Sequence, residues 1–282
     1  MPSKQDVVPR KHLDQQLPQS NISQDYFGWT VPVEQIPLPT AGILYPKENP
    51  LHNKATLQIK AMTAQEEDII MSRALLKEGT IIFHLIKSCL IDKSIDPNDL
   101  LLGDRNSLLV AIRITGYGSK YNANIVCPSC AVMNYQAFEL SDLEIKRLSI
   151  NPMSVGKNEF EFKLPVSKKN VTFKFETVAS NHESTITQER KRKLMPDMKL
   201  EGIITSMLEN QILSIDGVYD RNKILGFIQS MPAGDSKSLR KFINSNEPGI
   251  DMHVNMTCQS CSVESKIGLP LGAAFFWPEW RK

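Results

Sequence analysis

The chain has 282 residues, 41% hydrophobic and 23% charged, with a formal net charge of +2. That length can bury a core in one large domain or two ordinary ones, and the near-neutral balance gives no electrostatic case for nucleic acid or a membrane as the main partner. The most apolar stretch, residues 80–91, contains His84 and Lys87 and is too short to span a bilayer. Residues 1–20 are polar and lack a signal-peptide core, so the expectation is a protein made in a reducing cytoplasm.

Residues 1–28 show no hydrophobic periodicity and cannot bury enough apolar surface to offset their ordering entropy. Residues 1–34 are therefore expected to form an extended or disordered arm, ordered by a partner, with Trp29 as its anchor. Residues 28–45 mix Trp29, Val31, Val33, Ile36 and Leu38 with Pro32, Pro37 and Pro39, which predicts an extended run along a surface. A short strand follows at 56–59. Thr63-Ala64-Gln65-Glu66 has the form of a capping box, opening a helix that Gly79 ends. A second helix is predicted over 80–91 and a turn at Asp96-Pro97-Asn98-Asp99. A third helix is capped by Asp104, closed by Gly116, and buries Leu108, Leu109, Ile112 and Ile114.

Downstream, 159–164 and 170–177 read as a hairpin, and Arg190-Lys191-Arg192-Lys193 as a solvated basic helix face, since no aromatic residues interleave with it. Helices are predicted over 201–215, 220–231 (capped by Asp220) and 236–244 (capped by Asp235 or Ser236). The segment 275–280 carries Phe275, Phe276, Trp277 and Trp280. That apolar area either folds back onto the chain's own core or docks in a neighbouring protein.

Four of the five cysteines fall in two short pairs, Cys127-Pro128-Ser129-Cys130 and Cys258-Gln259-Ser260-Cys261. An alternating stretch precedes each pair (121–126 and 251–257) and a second strand-like stretch follows (133–138 and 263–269). Strand, tight turn, strand is the form of a zinc knuckle. Two such turns facing each other supply the four soft ligands that tetrahedral Zn²⁺ prefers, and the same donor set suits iron. The competing readings are cystines or a redox pair. A bridge within Cys-x-x-Cys closes a very small loop and stabilises little. Cys89 leaves an odd count, which argues against an oxidised framework. A thioredoxin-type pair would precede a helix, and neither pair does. The expected cofactor is a structural Zn²⁺ on Cys127, Cys130, Cys258 and Cys261, with no open position for water or substrate.

The 127 residues between the pairs exceed the spacing of a compact zinc ribbon. Closing knuckles near 121–138 and 251–269 on one ion would tie the middle of the chain to its end. The predicted fold class is accordingly α+β. Helical blocks and β-hairpins form a single interlocked body over 35–282, closed by a split, zinc-ribbon-like site.

No active site is legible, and no catalytic or cofactor-binding residues are expected. His12, His52, His84, His182 and His253 lack metal-ligand spacing, and there is no glycine-rich phosphate loop or nucleophile elbow. Glu66, Glu67 and Asp68 start a helix, where the macrodipole favours carboxylates. Asp104-Arg105 reads as a cap followed by a surface or paired arginine.

With these residues in hand, the chain resembles the baseplate (hub-associated) proteins of T4-like contractile-tailed phages. The resemblance is carried by Leu38-Pro39-Thr40-Ala41-Gly42-Ile43-Leu44-Tyr45-Pro46, Met62-Thr63-Ala64-Gln65-Glu66-Glu67-Asp68 and Leu101-Leu102-Gly103-Asp104-Arg105-Asn106. It continues in Arg113-Ile114-Thr115-Gly116-Tyr117-Gly118, Asn246-Glu247-Pro248-Gly249, Leu269-Pro270-Leu271 and Phe275-Phe276-Trp277-Pro278. It implies a non-enzymatic virion protein of the tail baseplate, made in the host cytoplasm. Its partners would be other baseplate or hub proteins, met through the N-terminal arm and the C-terminal aromatic segment, with no membrane or nucleic acid. The alternatives are a zinc-ribbon nucleic-acid-binding accessory factor and a transient tail-assembly chaperone absent from the virion.

Overall fold

Strands begin where β-branched residues and a proline keep the backbone extended. Val33–Pro37 (β1) lies antiparallel to Thr56–Lys60 (β2), with Val33 opposite Lys60 and Pro37 opposite Thr56. Pro37 sits at the strand's end, where its missing N–H is least costly to the ladder. The computed structural model describes residues 26–183, 185–186, 202–269 and 271–276. It divides the chain into two units, Met1–Pro32 and Val33–Lys282. Of the first unit, residues 26–32 are described: Tyr26 and Phe27 are exposed and meet edge-on at 5.6 Å. Most of the expected arm, the basic run 190–193 and the aromatic end 277–280 lie outside the described residues.

Within the second unit, residues 38–45 do not continue the extended run expected from the prolines. The chain turns inward, and Leu38, Leu44 and Tyr45 are buried. Gly42 makes the turn possible with φ +75°. A Cβ there would lie 2.4 Å from the Lys54 nitrogen and 2.6 Å from the Leu51 carbonyl oxygen. What draws this loop in is Asp104. Its fully buried carboxylate accepts from the Thr40 amide (3.1 Å), the Thr40 hydroxyl (2.6 Å) and the Tyr45 hydroxyl (2.6 Å). The Tyr45 oxygen in turn accepts from the Leu101 amide at 3.0 Å. Burial pushes the Asp104 pKa up, and the hydrogen bonds from Thr40 and Tyr45 pull against it.

Asp104 is thus not the cap that its position suggested. The central helix runs Leu102–Tyr117, with Asp104 inside its first turn and Gly118 (φ +79°) following it. The helix expected to run from Thr63 to Gly79 is also two. Ala64–Met71 ends at Ser72, whose extended backbone and side chain cap a second helix, Arg73–Glu78. The capping box itself is present, the Thr63 amide donating to Glu66 at 2.9 Å. Glu66 is fully buried, paired with Lys60 at 2.7 Å and bonded by the Ser88 hydroxyl. Burial works against its charge, yet the Lys60, Ser88 and Thr63 contacts hold its pKa down to about 2. Ile81–Cys89 forms the next helix, burying Leu85, Ile86 and Cys89.

Phe160–Lys163 (β6), Asn170–Phe173 (β7) and Ile212–Ile215 (β8) make a three-stranded antiparallel sheet, with Phe160, Phe173 and Phe175 packed beneath it. The helix expected over 201–215 stops at Gln211, because the β-branched Ile212–Ile215 segment adds to β7 as a third strand. Helices Arg221–Ser230 and Ala233–Asn246 follow. Asp220 caps the first, accepting from Asn222 and Lys223. Asp235 does not cap the second. It reaches across to the amides of Val166 (2.7 Å) and Ser167 (2.9 Å) at the β6–β7 turn.

The two cysteine pairs lie in separate hairpins. The first is Lys120–Val126 (β3) with Met133–Glu139 (β4), and the second is His253–Thr257 (β10) with Glu264–Gly268 (β11). Between them Ile145–Lys146 (β5) pairs with Gly249–Ile250 (β9). This brings the approach to the second hairpin against the central helix. At Gly103 a Cβ would sit 1.8 Å from the Pro248 carbonyl oxygen, so only glycine permits the contact. Phe275 and Phe276 fold back into the core, Phe275 lying 4.9 Å from the Tyr121 ring while Arg113 Nε donates to its carbonyl. No described helix is long and apolar enough to cross a membrane.

Candidate metal centre

Each cysteine turn is built by the same backbone bonds. In the first, the Cys127 amide donates to the Val132 carbonyl (3.0 Å) and the Ala131 amide to the Cys127 carbonyl (2.9 Å). In the second, the Cys258 amide donates to Val263 (3.1 Å) and the Ser262 amide to Cys258 (2.9 Å). Ala131 and Ser262 both take left-handed backbone, φ 57° and 58°, which reverses the chain after the second cysteine. The chain thus makes one turn twice, CPSCAV and CQSCSV, and places the two copies face to face.

The four sulfurs meet there. Cys127 Sγ lies 3.8 Å from Cys261 Sγ, and Cys130 Sγ lies 3.6 Å from Cys258 Sγ, so each turn's first cysteine meets the other's second. All four sulfurs lie within 4.8 Å of one another. Among the described residues this is the one group of three or more His, Cys, Asp or Glu side chains placed to hold a metal. Cys127 and Cys258 are buried, Cys130 and Cys261 half-buried, and all four are free thiols. A disulfide would need sulfurs about 2.05 Å apart. A tetrahedral site with Zn–S bonds of about 2.3 Å has edges of about 3.8 Å, and the donor set and the two measured edges fit it. Cys89 is buried elsewhere in the core, its thiol pushed up to about 12 by desolvation and then by Glu66.

Cys258 and Cys130 are pulled in opposite directions. The amides of Cys261 and Ser260 aim at Cys258 and draw its pKa down to about 6, with help from the Asn134 side chain. The Val132 amide favours the Cys130 thiolate, but desolvation and the other three sulfurs push its pKa up to about 12. Four thiolates this close repel, and a divalent cation between them removes that conflict.

Asn134 joins the two turns. Its side-chain amide donates to the Val132 carbonyl (2.9 Å) and approaches Cys258 Sγ (3.5 Å), while its oxygen accepts from the Gln259 amide (2.8 Å). Residue 134 corresponds by position to Ser265 in the second hairpin, so this clamp is made from one side only. No sequence signal separates Asn134 from Asn122 and Asn124 on the other strand of the hairpin. Around the sulfurs Met256 completes a small apolar cluster with Cys127 and Cys258, set apart from the main core. His253 is not part of the group: it is exposed, with Nδ1 2.6 Å from Asp251 Oδ1.

The family model described as "T4 bacteriophage base plate protein" matches residues 45–277, a span that includes both cysteine pairs. No curated protein and no solved structure matches the chain.

Proposed function

Because this chain belongs to the T4 bacteriophage base plate protein family, we propose that it is a non-enzymatic structural or assembly component of the phage tail baseplate, in its hub region. The observation that carries this reading is the family match over 45–277, which takes in both hairpins and the central helix. Residues 1–34 serve as an arm that meets neighbouring tail proteins, and 35–282 is one interlocked body. Cys127, Cys130, Cys258 and Cys261 hold a structural Zn²⁺. The ion supplies cross-linking and charge neutralisation at a closed four-thiolate site.

The buried polar groups support a structural role. Asp104, Glu66 and Asp235 each hold loops and strands together through hydrogen bonds. Neither cysteine turn carries Lys or Arg, which disfavours a nucleic-acid-binding ribbon.

Quantifying this chain in purified particles against infected lysate tests the reading. A fixed stoichiometry in particles is expected. Presence in lysate but not in particles would make it an assembly chaperone instead. Elemental analysis of protein purified under reducing conditions should give one zinc per chain.

A further inference from the structure

The outer face of the first hairpin is uncharged and partly apolar. In a chain where 23% of residues are charged, residues 121–138 contain no Asp, Glu, Lys, Arg or His. Yet Val126, Met133 and Tyr135 are 53, 60 and 55% exposed. The ladder's phase explains their grouping. Cys127 and Val132 form a hydrogen-bonded pair, so 125:134 and 123:136 do too, whereas 126:133 and 124:135 do not. The side chains of the second set share one face. Asn134 and Phe138, on the other, are buried.

Alternation also turns the amides and carbonyls of Met133, Tyr135 and Ala137 outward, away from β3. Among the described residues that hairpin is a two-stranded sheet, with no strand on the β4 edge. Exposed edges are ordinarily guarded by charge, proline or a bulge, and a bare apolar edge is a template for strand pairing.

We propose that β4 is a contact edge between two copies of this chain, pairing antiparallel about Tyr135 to join two hairpins into one four-stranded sheet. The edge is self-complementary. With Tyr135 opposite the partner's Tyr135, Met133 faces the partner's Ala137, and the outward backbone groups of all three residues find partners. A two-fold contact sets every charge on its axis against its own like, and this strand carries none before Glu139. A partner strand bearing charge would have to desolvate it against Met133 and Tyr135, so the uncharged copy of the same strand fits better. The cysteine turn at the tip of the hairpin keeps the edge in one register.

Analytical ultracentrifugation of the full-length protein under reducing conditions tests this. The wild type should form a dimer that dissociates on dilution. Tyr135→Lys, which sets two cations face to face, should weaken association about tenfold or more, while Val155→Lys, at an exposed apolar site elsewhere, should leave it unchanged. Should Tyr135→Lys fail to fold, Ala137→Pro removes an outward N–H that the hairpin does not use, and should also give a monomer. A photo-crosslinker at Met133 should map to residues near 137 of the second copy. The proposal is overturned by a wild type that stays monomeric through the micromolar range, by undiminished association in the folded variants, or by a crosslink that maps elsewhere or to a different protein in particles.

Discussion

Cys127 and Cys258 occupy equivalent places in two hairpins whose turns repeat the same two backbone hydrogen bonds, down to the left-handed residue after the second cysteine. Beyond the turn the hairpins part. The first has seven-residue strands, no charge between Lys120 and Glu139, and Asn134 reaching over to the other turn. The second has five-residue strands, a charged base where Asp251 meets His253 and Lys266, and a close backbone approach to the central helix just before it. The difference teaches that ligand geometry dictates the turn alone. The flanks are free to specialise, the first for contact across the site, the second for anchorage to the body.

Serine at Cys127 or Cys258 tests the equivalence with the largest effect. Structural zinc contributes on the order of 10 kcal/mol in small zinc-dependent folds, and the knuckle cluster has little other core to fall back on. Both variants should lose the metal and melt far below the wild type, by similar amounts, in thermal melts paired with elemental analysis. A chelator should do the same. Cys89→Ser should cost only about 1–3 kcal/mol and keep the metal. If one knuckle's serine variant retains metal and stability, the two turns are not equivalent.

Gly103→Ala should come next. It drives a methyl group into the Pro248 carbonyl and should cost about 1–3 kcal/mol or more by overpacking. Hydrogen exchange should rise in β9 and β10 before it rises in β3 and β4. Equal loosening of both hairpins would show that the helix contact does not belong to the second alone.

A smaller effect separates Asn134 from its positional counterpart. Asn134→Ala leaves the Gln259 amide without its acceptor and should cost about 1–3 kcal/mol, whereas Ser265→Ala should stay within about 0.5 kcal/mol. Chemical denaturation of the metal-loaded protein measures both.

The smallest effect is electrostatic. Burial opposes the Asp251 charge, but the His253 and Lys266 contacts hold its pKa down to about 2, from an ordinary 3.8. A folded value below the unfolded one means its stabilisation is present above about pH 4 and fades as the pH falls through about 2. The group is partly exposed, so about 1 kcal/mol or less is at stake. The stability gap between wild type and Asp251→Asn should therefore close over that window. A gap independent of pH would remove the charged base from the comparison.

The spacing of the cysteines and the alternation of their flanks made both hairpins and the gathering of four thiols legible, because a Cys-x-x-Cys turn is a local structure. The rest depended on distant partners. Asp104 looks like any helix-starting aspartate until the Leu38–Tyr45 loop is seen closing on it. Asp235 has the same local signature but serves a turn some 70 positions earlier. Ser72 ends a helix whose apolar stripe continues past it, and Ile212–Ile215 becomes a strand only because β7 offers an edge. Asn134 carries no local signal, since its role exists only when the second turn is in place.

Cys127 and Cys261 are 134 residues apart in sequence. At ribosomal speeds of 5–20 residues per second, roughly 7–27 s separate the synthesis of the two ends of the site. During that interval the first hairpin presents two thiols with no second turn to meet. The four-thiol group is incomplete until the second turn is made, so a metal held by all four would enter only after the central helix and the three-stranded sheet have been synthesised. A ribosome stalled before Cys258 would hold a chain with half of the four-thiol group, open to oxidation, and synthesis of the second turn is what completes it.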